Sequence, residues 1–203
     1  MNLSEAIIEL KARGASYLSN PRCTIMLNDA KNDFEDLFPW PWLEATTSGA
    51  GPLEISDLKQ VLYVVDSDRD NVLEGTTSNN IIMQEPWNDI VSSSSGNDVP
   101  YCWYIDGETT LSVYPASENN IYVRYIRYSP ELSGTDTPLI PARYHNLWID
   151  FAMVRVYRDS DDLNRANDLL TVCNQRLVAI YNDYGARNLQ NPTTQQVYTG
   201  GDW

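Results

Sequence analysis

The chain has 203 residues, 42% of them hydrophobic, enough for one large domain or one domain with a sizeable insertion and too apolar for wholesale disorder. It carries 28 acidic against 14 basic side chains, a formal net charge of −14, with lysine only at Lys11, Lys31 and Lys59. That excludes a broad electrostatic grip on nucleic-acid phosphate, which relies on clustered lysine and arginine, but not DNA sliding past a repelling wall.

The first helix is signalled at Ser4, read as its N-cap, with Glu5 in the first turn and Leu3 placed to staple onto Ile8. Ala6, Ile7 and Leu10 give an apolar stripe, and Gly14 marks a stop or bend. A second helix is predicted from Asn20-Pro21, proline being suited to the first helical position. Cys23, Met26, Leu27, Ala30, Phe34 and Leu37 recur at helical spacing, and Asn28, Asp29, Lys31, Asn32 and Asp33 fill the other faces. Pro39 and Pro41 end it.

From Trp42 the pattern becomes β. Strands are predicted at Leu53–Ile55, Val61–Val65, Tyr101–Tyr104, Thr110–Tyr114 and Ile121–Tyr128. Asp106-Gly107 signals a tight hairpin, and Pro115–Asn120 a longer loop. Asn79–Val91 reads as a short helix and Ser92–Gly96 as a flexible loop. From Pro141 the 3.6 period returns. Tyr144, Leu147, Trp148, Phe151 and Val154 form one stripe, Ile149, Ala152 and Val156 another, as in a helix buried between partners. Asp159-Ser-Asp-Asp162 breaks this helix and caps the next. There Leu163, Ala166, Leu170, Cys173, Leu177, Ile180 and Tyr184 line up, closed by Gly185. Residues 186–203 are polar and read as a tail without a core of its own.

The fold expected is therefore α+β. Residues 1–40 and 141–185 form one discontinuous helical bundle, 41–140 an inserted antiparallel β unit, and 186–203 an extended C-terminal arm.

Catalytic chemistry finds little support. Asp66-Ser-Asp68-Arg-Asp70-Asn71 imitates a calcium loop but has Asn71 where glycine belongs and Thr77 where glutamate belongs; an acidic hairpin turn is the better reading. His145 is the sole histidine and opens a helix, a structural position. The pairs Glu35–Asp36 and Asp161–Asp162 are adjacent helical residues that diverge. Gly49-Ala-Gly51-Pro52 lacks the lysine and following helix of a phosphate loop. Cys23, Cys102 and Cys173 have neither metal spacing nor an even disulfide framework, and read as reduced, buried thiols of a protein made in a reducing cytoplasm. Residues 1–5 lack a basic leader, and no window approaches the roughly 20 apolar residues of a membrane span, so the expectation is a soluble protein. No catalytic, cofactor-binding or metal residue is assigned.

Aromatic content says more. Thirteen tyrosines and six tryptophans are many for this length, and the Ile121–Tyr128 strand carries large side chains on both faces. Core packing is the plain explanation. The alternative is burial against another subunit, and it nominates Tyr122, Arg124, Arg127, Tyr128, Tyr144 and Trp148 as subunit or β-platform contacts, with Arg124 and Arg127 on opposite faces.

Several pieces occur in a telling order: Val99-Pro-Tyr-Cys-Trp103, Leu111-Ser-Val-Tyr-Pro-Ala116, Val123-Arg-Tyr125, Pro130-Glu-Leu132, Asp136-Thr-Pro-Leu-Ile-Pro141, Tyr144-His145 and an acidic–aliphatic helix after Asp159. With the two N-terminal helices, this region resembles the head-to-tail adaptor (connector) proteins of tailed bacteriophages. The segment 53–100 matches least.

The resemblance implies a non-enzymatic homo-oligomeric ring, usually dodecameric, at the virion neck. Portal protein would lie on one side and tail or nozzle proteins on the other, with DNA passing through without specific binding. It implies that residues 186–203 are a portal-binding arm, with Asn188, Gln190, Val197, Tyr198 and Trp203 as its contacts. Two rival readings are a sugar-binding β module using exposed tyrosine and tryptophan, and an acid-pair glycosidase acting on cell wall.

Overall fold

The computed structural model describes residues 1–76, 99–116 and 119–190, with side chains as far as Tyr184. The chain divides into two compact units, Met1–Trp42 with Pro130–Trp203, and Leu43–Ser129.

The first unit is helical. Helix α1 (Leu3–Leu10) runs into a π segment (Lys11–Ala15) and is followed by α2 (Asn20–Asp36). A 3-10 turn (Ala142–Tyr144) opens α3 (His145–Asp159), and α4 spans Leu163–Gln190. The N-cap of α1 is Asn2, not Ser4. Its side chain accepts from the Glu5 N–H at 2.9 Å and the Glu5 carboxylate accepts from the Asn2 N–H at 3.0 Å, so a capping box holds the end. Ser4 instead donates to the Gly134 carbonyl at 2.7 Å. The expected staple is absent because Ile8 points outward, 70% exposed. Gly14 does bend the chain: its φ of 132° lies where residues with a Cβ are strained. Ser19 caps α2, and Pro21 sits in its first turn.

Helix α3 is packed by α1, α2 and α4. Leu147, Trp148, Ile149, Phe151, Ala152, Met153, Val154 and Val156 are all buried, as its double stripe requires. Asp162 opens α4, accepting from the Arg165 N–H at 3.3 Å. Ala166, Cys173 and Leu177 form the buried stripe, whereas Leu163 stays exposed.

Three expectations fail here. Gly185 does not end α4, which continues to Gln190, so residues 186–190 are helical backbone and not extended arm. Leu37 is exposed at the end of α2, past its last buried turn. Asn28 and Lys31, assigned to polar faces, are buried. Their burial serves the non-helical backbone at 130–132, which has no ladder to bond to. Asn28 Nδ2 donates to the Leu132 carbonyl at 3.0 Å, the Leu132 N–H donates to Asn28 Oδ1 at 2.8 Å, and Lys31 Nζ donates to the Pro130 carbonyl at 2.5 Å.

The second unit overturns the expected fold class. The architecture is not a helical bundle with a small antiparallel insert. Among the described residues there are seven strands: β1 (Glu44–Ala50), β2 (Leu53–Glu54), β3 (Leu58–Asp66), β4 (Asn71–Gly75), β5 (Cys102–Asp106), β6 (Thr110–Tyr114) and β7 (Asn120–Arg127). They form one mixed sheet in the order β1-β7-β3-β4-β5-β6-β2, nearly closed because β1 and β2 approach each other. It encloses its own core of Ile55, Leu58, Val64, Leu73, Leu111, Val113, Ile121, Val123 and Tyr125.

Strand β1 was not expected, whereas β4 follows the acidic hairpin turn. Glu-Ala-Thr-Thr-Ser-Gly-Ala has no apolar alternation, and β1 is held by its register along β7, from Glu44 opposite Ile126 to Ala50 opposite Asn120. The sheet is mixed because β4 and β5 pair in parallel, Glu74 opposite Cys102 and Gly75 opposite Trp103. A parallel neighbour needs a long crossover, and the chain between Gly75 and Cys102 is that connection. The short helix and serine-rich loop expected at 79–96 lie outside the described residues.

Both anticipated turns occur. Asp66 opposite Asn71 closes the acidic turn of β3 and β4. The β5–β6 turn is one residue longer than a two-residue hairpin, with positive φ at Gly107 alone.

Candidate interaction surface

Strand β7 organises the most distinctive surface of the second unit. Its alternation sends Ile121, Val123 and Tyr125 into the core and leaves Tyr122 and Arg124 on the outer face. Register adds the neighbours. Tyr122 lies opposite Ser48 and Val65, and Arg124 opposite Thr46 and Tyr63. Val65 in turn lies opposite Val72, which is 59% exposed. Tyr63 and Tyr122 have ring centroids 6.1 Å apart, and the Arg124 guanidinium lies 6.0 Å from the Tyr63 ring. Arg124 Nε donates to Glu44 Oε2 at 2.9 Å, with Nη2 on the same oxygen; this bonding raises the Arg124 pKa above its usual value. The result is a band of tyrosine, valine and one fixed arginine. Tyr63, Val65 and Val72 went unnoticed in the sequence. The alternation through Tyr63 and Val65 was a usable signal, but the pairing that joins them to Tyr122 was not.

The other nominated residues fall elsewhere. Arg127, three positions from Arg124, lies on the opposite face of β7, and its buried Nε has no hydrogen-bond partner among the described residues. Tyr128 is 57% exposed, with Lys59 Nζ 5.7 Å from its ring.

Tyr144 and Trp148 belong to the helical unit. Tyr144 is half-buried in an aromatic cluster with Trp42 and Tyr184, and Arg143 lies 4.7 Å from its ring. Burial, then the hydrogen bond to Tyr184, push its hydroxyl pKa up. Trp40 stacks on Trp42 at 4.6 Å and Phe38 on Tyr181 at 4.3 Å, so much of the aromatic content is spent on contacts inside this unit. Trp148 is fully buried and its indole donates to the Leu27 carbonyl at 2.8 Å. It packs the core and offers no surface to a partner. Asn188 and Gln190 fall in the last helical turns of α4, and Val197, Tyr198 and Trp203 lie outside the described residues.

The titratable groups have structural duties. His145 is buried against the Ile140 carbonyl, with Nε2 at 2.8 Å, and desolvation lowers its pKa. Asp66 is buried and accepts from the Asp68 N–H at 3.1 Å and from Asn119 at 3.0 Å, which explains the acidic turn without an ion. Burial pushes the Cys173 thiol up to about 12 and raises Cys23 and Cys102, which leaves them poor nucleophiles. A hollow of about 260 Å³ between α2 and α3 is lined by Arg22, Ile25, Met26, Asp29, Arg155, Arg158 and Asp159. Arg22 pairs with Asp159 at 2.8 Å and Arg155 with Asp29 at 3.2 Å, so its charges largely satisfy one another. Among the described residues no group of three metal-ligating side chains converges, and no helix is long and apolar enough to cross a membrane.

The family model for the SU10 adaptor protein matches residues 1–196, which takes in both units. The chain belongs to the SU10 adaptor protein family. The match includes the segment 53–100, which the resemblance from sequence pieces covered least. No curated protein matches the adaptor.

Proposed function

We propose that the adaptor closes into a homo-oligomeric ring between the portal protein and the tail at the virion neck, and that it works as a structural part without catalysis. The observation that carries this reading is the adaptor-family match running through the helical unit and the sheet unit alike. The helical unit would form the ring wall, the outer β band of Tyr63, Tyr122 and Arg124 a platform for a neighbour, and residues 186–203, the first five of which continue α4, the segment that meets the portal. A twelve-fold ring is the expectation from phage connectors.

The charge supports the same reading. A ring multiplies the −14 of each chain by its copy number, and a strongly negative passage lets DNA through without adhesion. Electron microscopy of portal rings mixed with the full chain tests this. An added ring of density below the portal is expected; portal rings that stay bare would overturn the proposal. Removing residues 186–203 should abolish portal binding while leaving both units folded, and unaltered binding would remove the arm from the scheme.

A further inference from the structure

The hollow between α2 and α3 runs against the charge of the chain. The molecule carries −14 overall, yet Arg22, Arg155 and Arg158 line this hollow against only Asp29 and Asp159. All five belong to the helical unit. Arg155 is held between Asp29 at 3.2 Å and Asp33 at 2.7 Å, and Arg22 reaches Asp159 at 2.8 Å. Those pairs engage all three aspartates. Arg158 is left exposed in the last turn of α3, with no acid partner among the described residues. Arg22 also keeps donors in hand, since its bond to Asp159 engages Nη2 and a guanidinium carries five N–H groups.

A guanidinium with free donors favours a planar or tetrahedral anion that takes two parallel N–H bonds, a carboxylate or a phosphate. The surroundings decide between them. The hollow measures about 260 Å³, below the roughly 300–1,000 Å³ of pockets that enclose small molecules, so it suits a single side chain better than a free cofactor. Duplex DNA carries a charge about every 1.7 Å of its axis. It would bring that row of phosphates against Asp29, Asp33 and Asp159, with Asp161 and Asp162 next along the chain. One carboxylate brings one charge, to a spot where the acids are already neutralised. Ile25, 51% exposed, and Met26 add apolar wall to the same hollow. That wall can cover the aliphatic stem of a glutamate and gives a phosphate nothing.

We propose that this hollow docks an acidic side chain of a partner protein, a glutamate flanked by aliphatic residues, with Arg158 as its main ligand and Arg22 beside it. The match is one of charge: an acidic chain repels an acidic partner over most of its surface, and here it offers an uncommitted cation among balanced pairs. The site requires only that an adaptor meets other proteins. It does not depend on the ring.

The test titrates the isotope-labelled full chain with acetyl-Leu-Glu-Leu-amide and, in parallel at constant salt, with acetyl-Leu-Gln-Leu-amide. Arginine Nε–H signals in NMR spectra report binding, and that of Arg155 is buried, hence shielded from exchange. The glutamate peptide should shift the Arg155 and Arg158 signals saturably and bind about tenfold more tightly than the glutamine peptide, because hydrogen bonds to charged groups outweigh neutral ones. Arg158→Gln should erase that preference. Arg158→Lys, which keeps the charge without the fork, should restore only part of it. Equal binding of the two peptides to the wild-type chain would reduce the hollow to apolar adhesion and overturn the proposal. A preference that survives in Arg158→Gln overturns it too, as does tighter binding of inorganic phosphate or a DNA duplex, or no shift at all. Portal rings left bare in electron microscopy would count against the ring and leave this result standing, so the two readings fail separately.

Discussion

Replacing Trp148 with alanine is the sharpest probe of the helical unit. Trp148 is fully buried, its ring packs beside His145 at 6.0 Å between centroids, and its indole N–H bonds the Leu27 carbonyl across to α2 at 2.8 Å. Truncating such a side chain leaves a cavity the size of the lost ring, which costs about 3–5 kcal/mol. At roughly 2–4 °C per kcal/mol for a chain of this size, melting should fall by roughly 6–20 °C. Trp148→Phe keeps much of the ring and loses the N–H. Leu27 sits within α2, so its carbonyl keeps a helical partner, and the cost should be only about 1–2 kcal/mol. Urea titration followed by circular dichroism at 222 nm reads the helices without depending on the missing fluorophore. Any loss of partner binding should track the unfolded fraction. A Trp148→Ala chain within about 1 kcal/mol of wild type would refute the placement of this side chain at the centre of the helical core.

Gly14→Ala should destabilise by about 1–3 kcal/mol, because φ of 132° strains any residue with a Cβ; the nearest atom to that Cβ would be 3.9 Å away, so a loss reflects backbone strain and not collision. His145 is held with a depressed pKa, so below its ordinary value near 6.5 the unfolded chain takes up the proton first. Stability should be fully present above about 6.5 and fall as the pH drops from there through the lowered folded value, and His145→Gln should flatten that slope in denaturant titrations between pH 5 and 7. Arg124→Ala breaks the pair with Glu44, but with those side chains 39% and 29% exposed the loss should not exceed about 1 kcal/mol in thermal melts.

The helices were legible where local chemistry decides them. Asn20-Pro21 announces α2 through the fixed φ of proline, and the double stripe of α3 requires the sandwich in which it sits. The misses come from long-range pairing. Nothing within Glu44–Ala50 marks it as a strand; β7 imposes that conformation through its register. The parallel β4–β5 pair depends on a crossover that no local pattern encodes. Lys31 and Asn28 look like surface residues until the unbonded backbone at 130–132 is brought beside them. Of the nominated interface, Tyr122 and Arg124 were placed together because strand alternation is a two-residue rule. Trp148 is fully buried, and two apolar stripes on one helix give no sequence cue to which of their residues meets the core.

The account turns on assembly, and the most direct measurement is a reconstruction of the purified chain bound to its portal by electron microscopy. A closed ring of copies is predicted, with an open acidic channel at the centre. Single copies scattered on the portal without mutual contact, or no attachment at all, would contradict it.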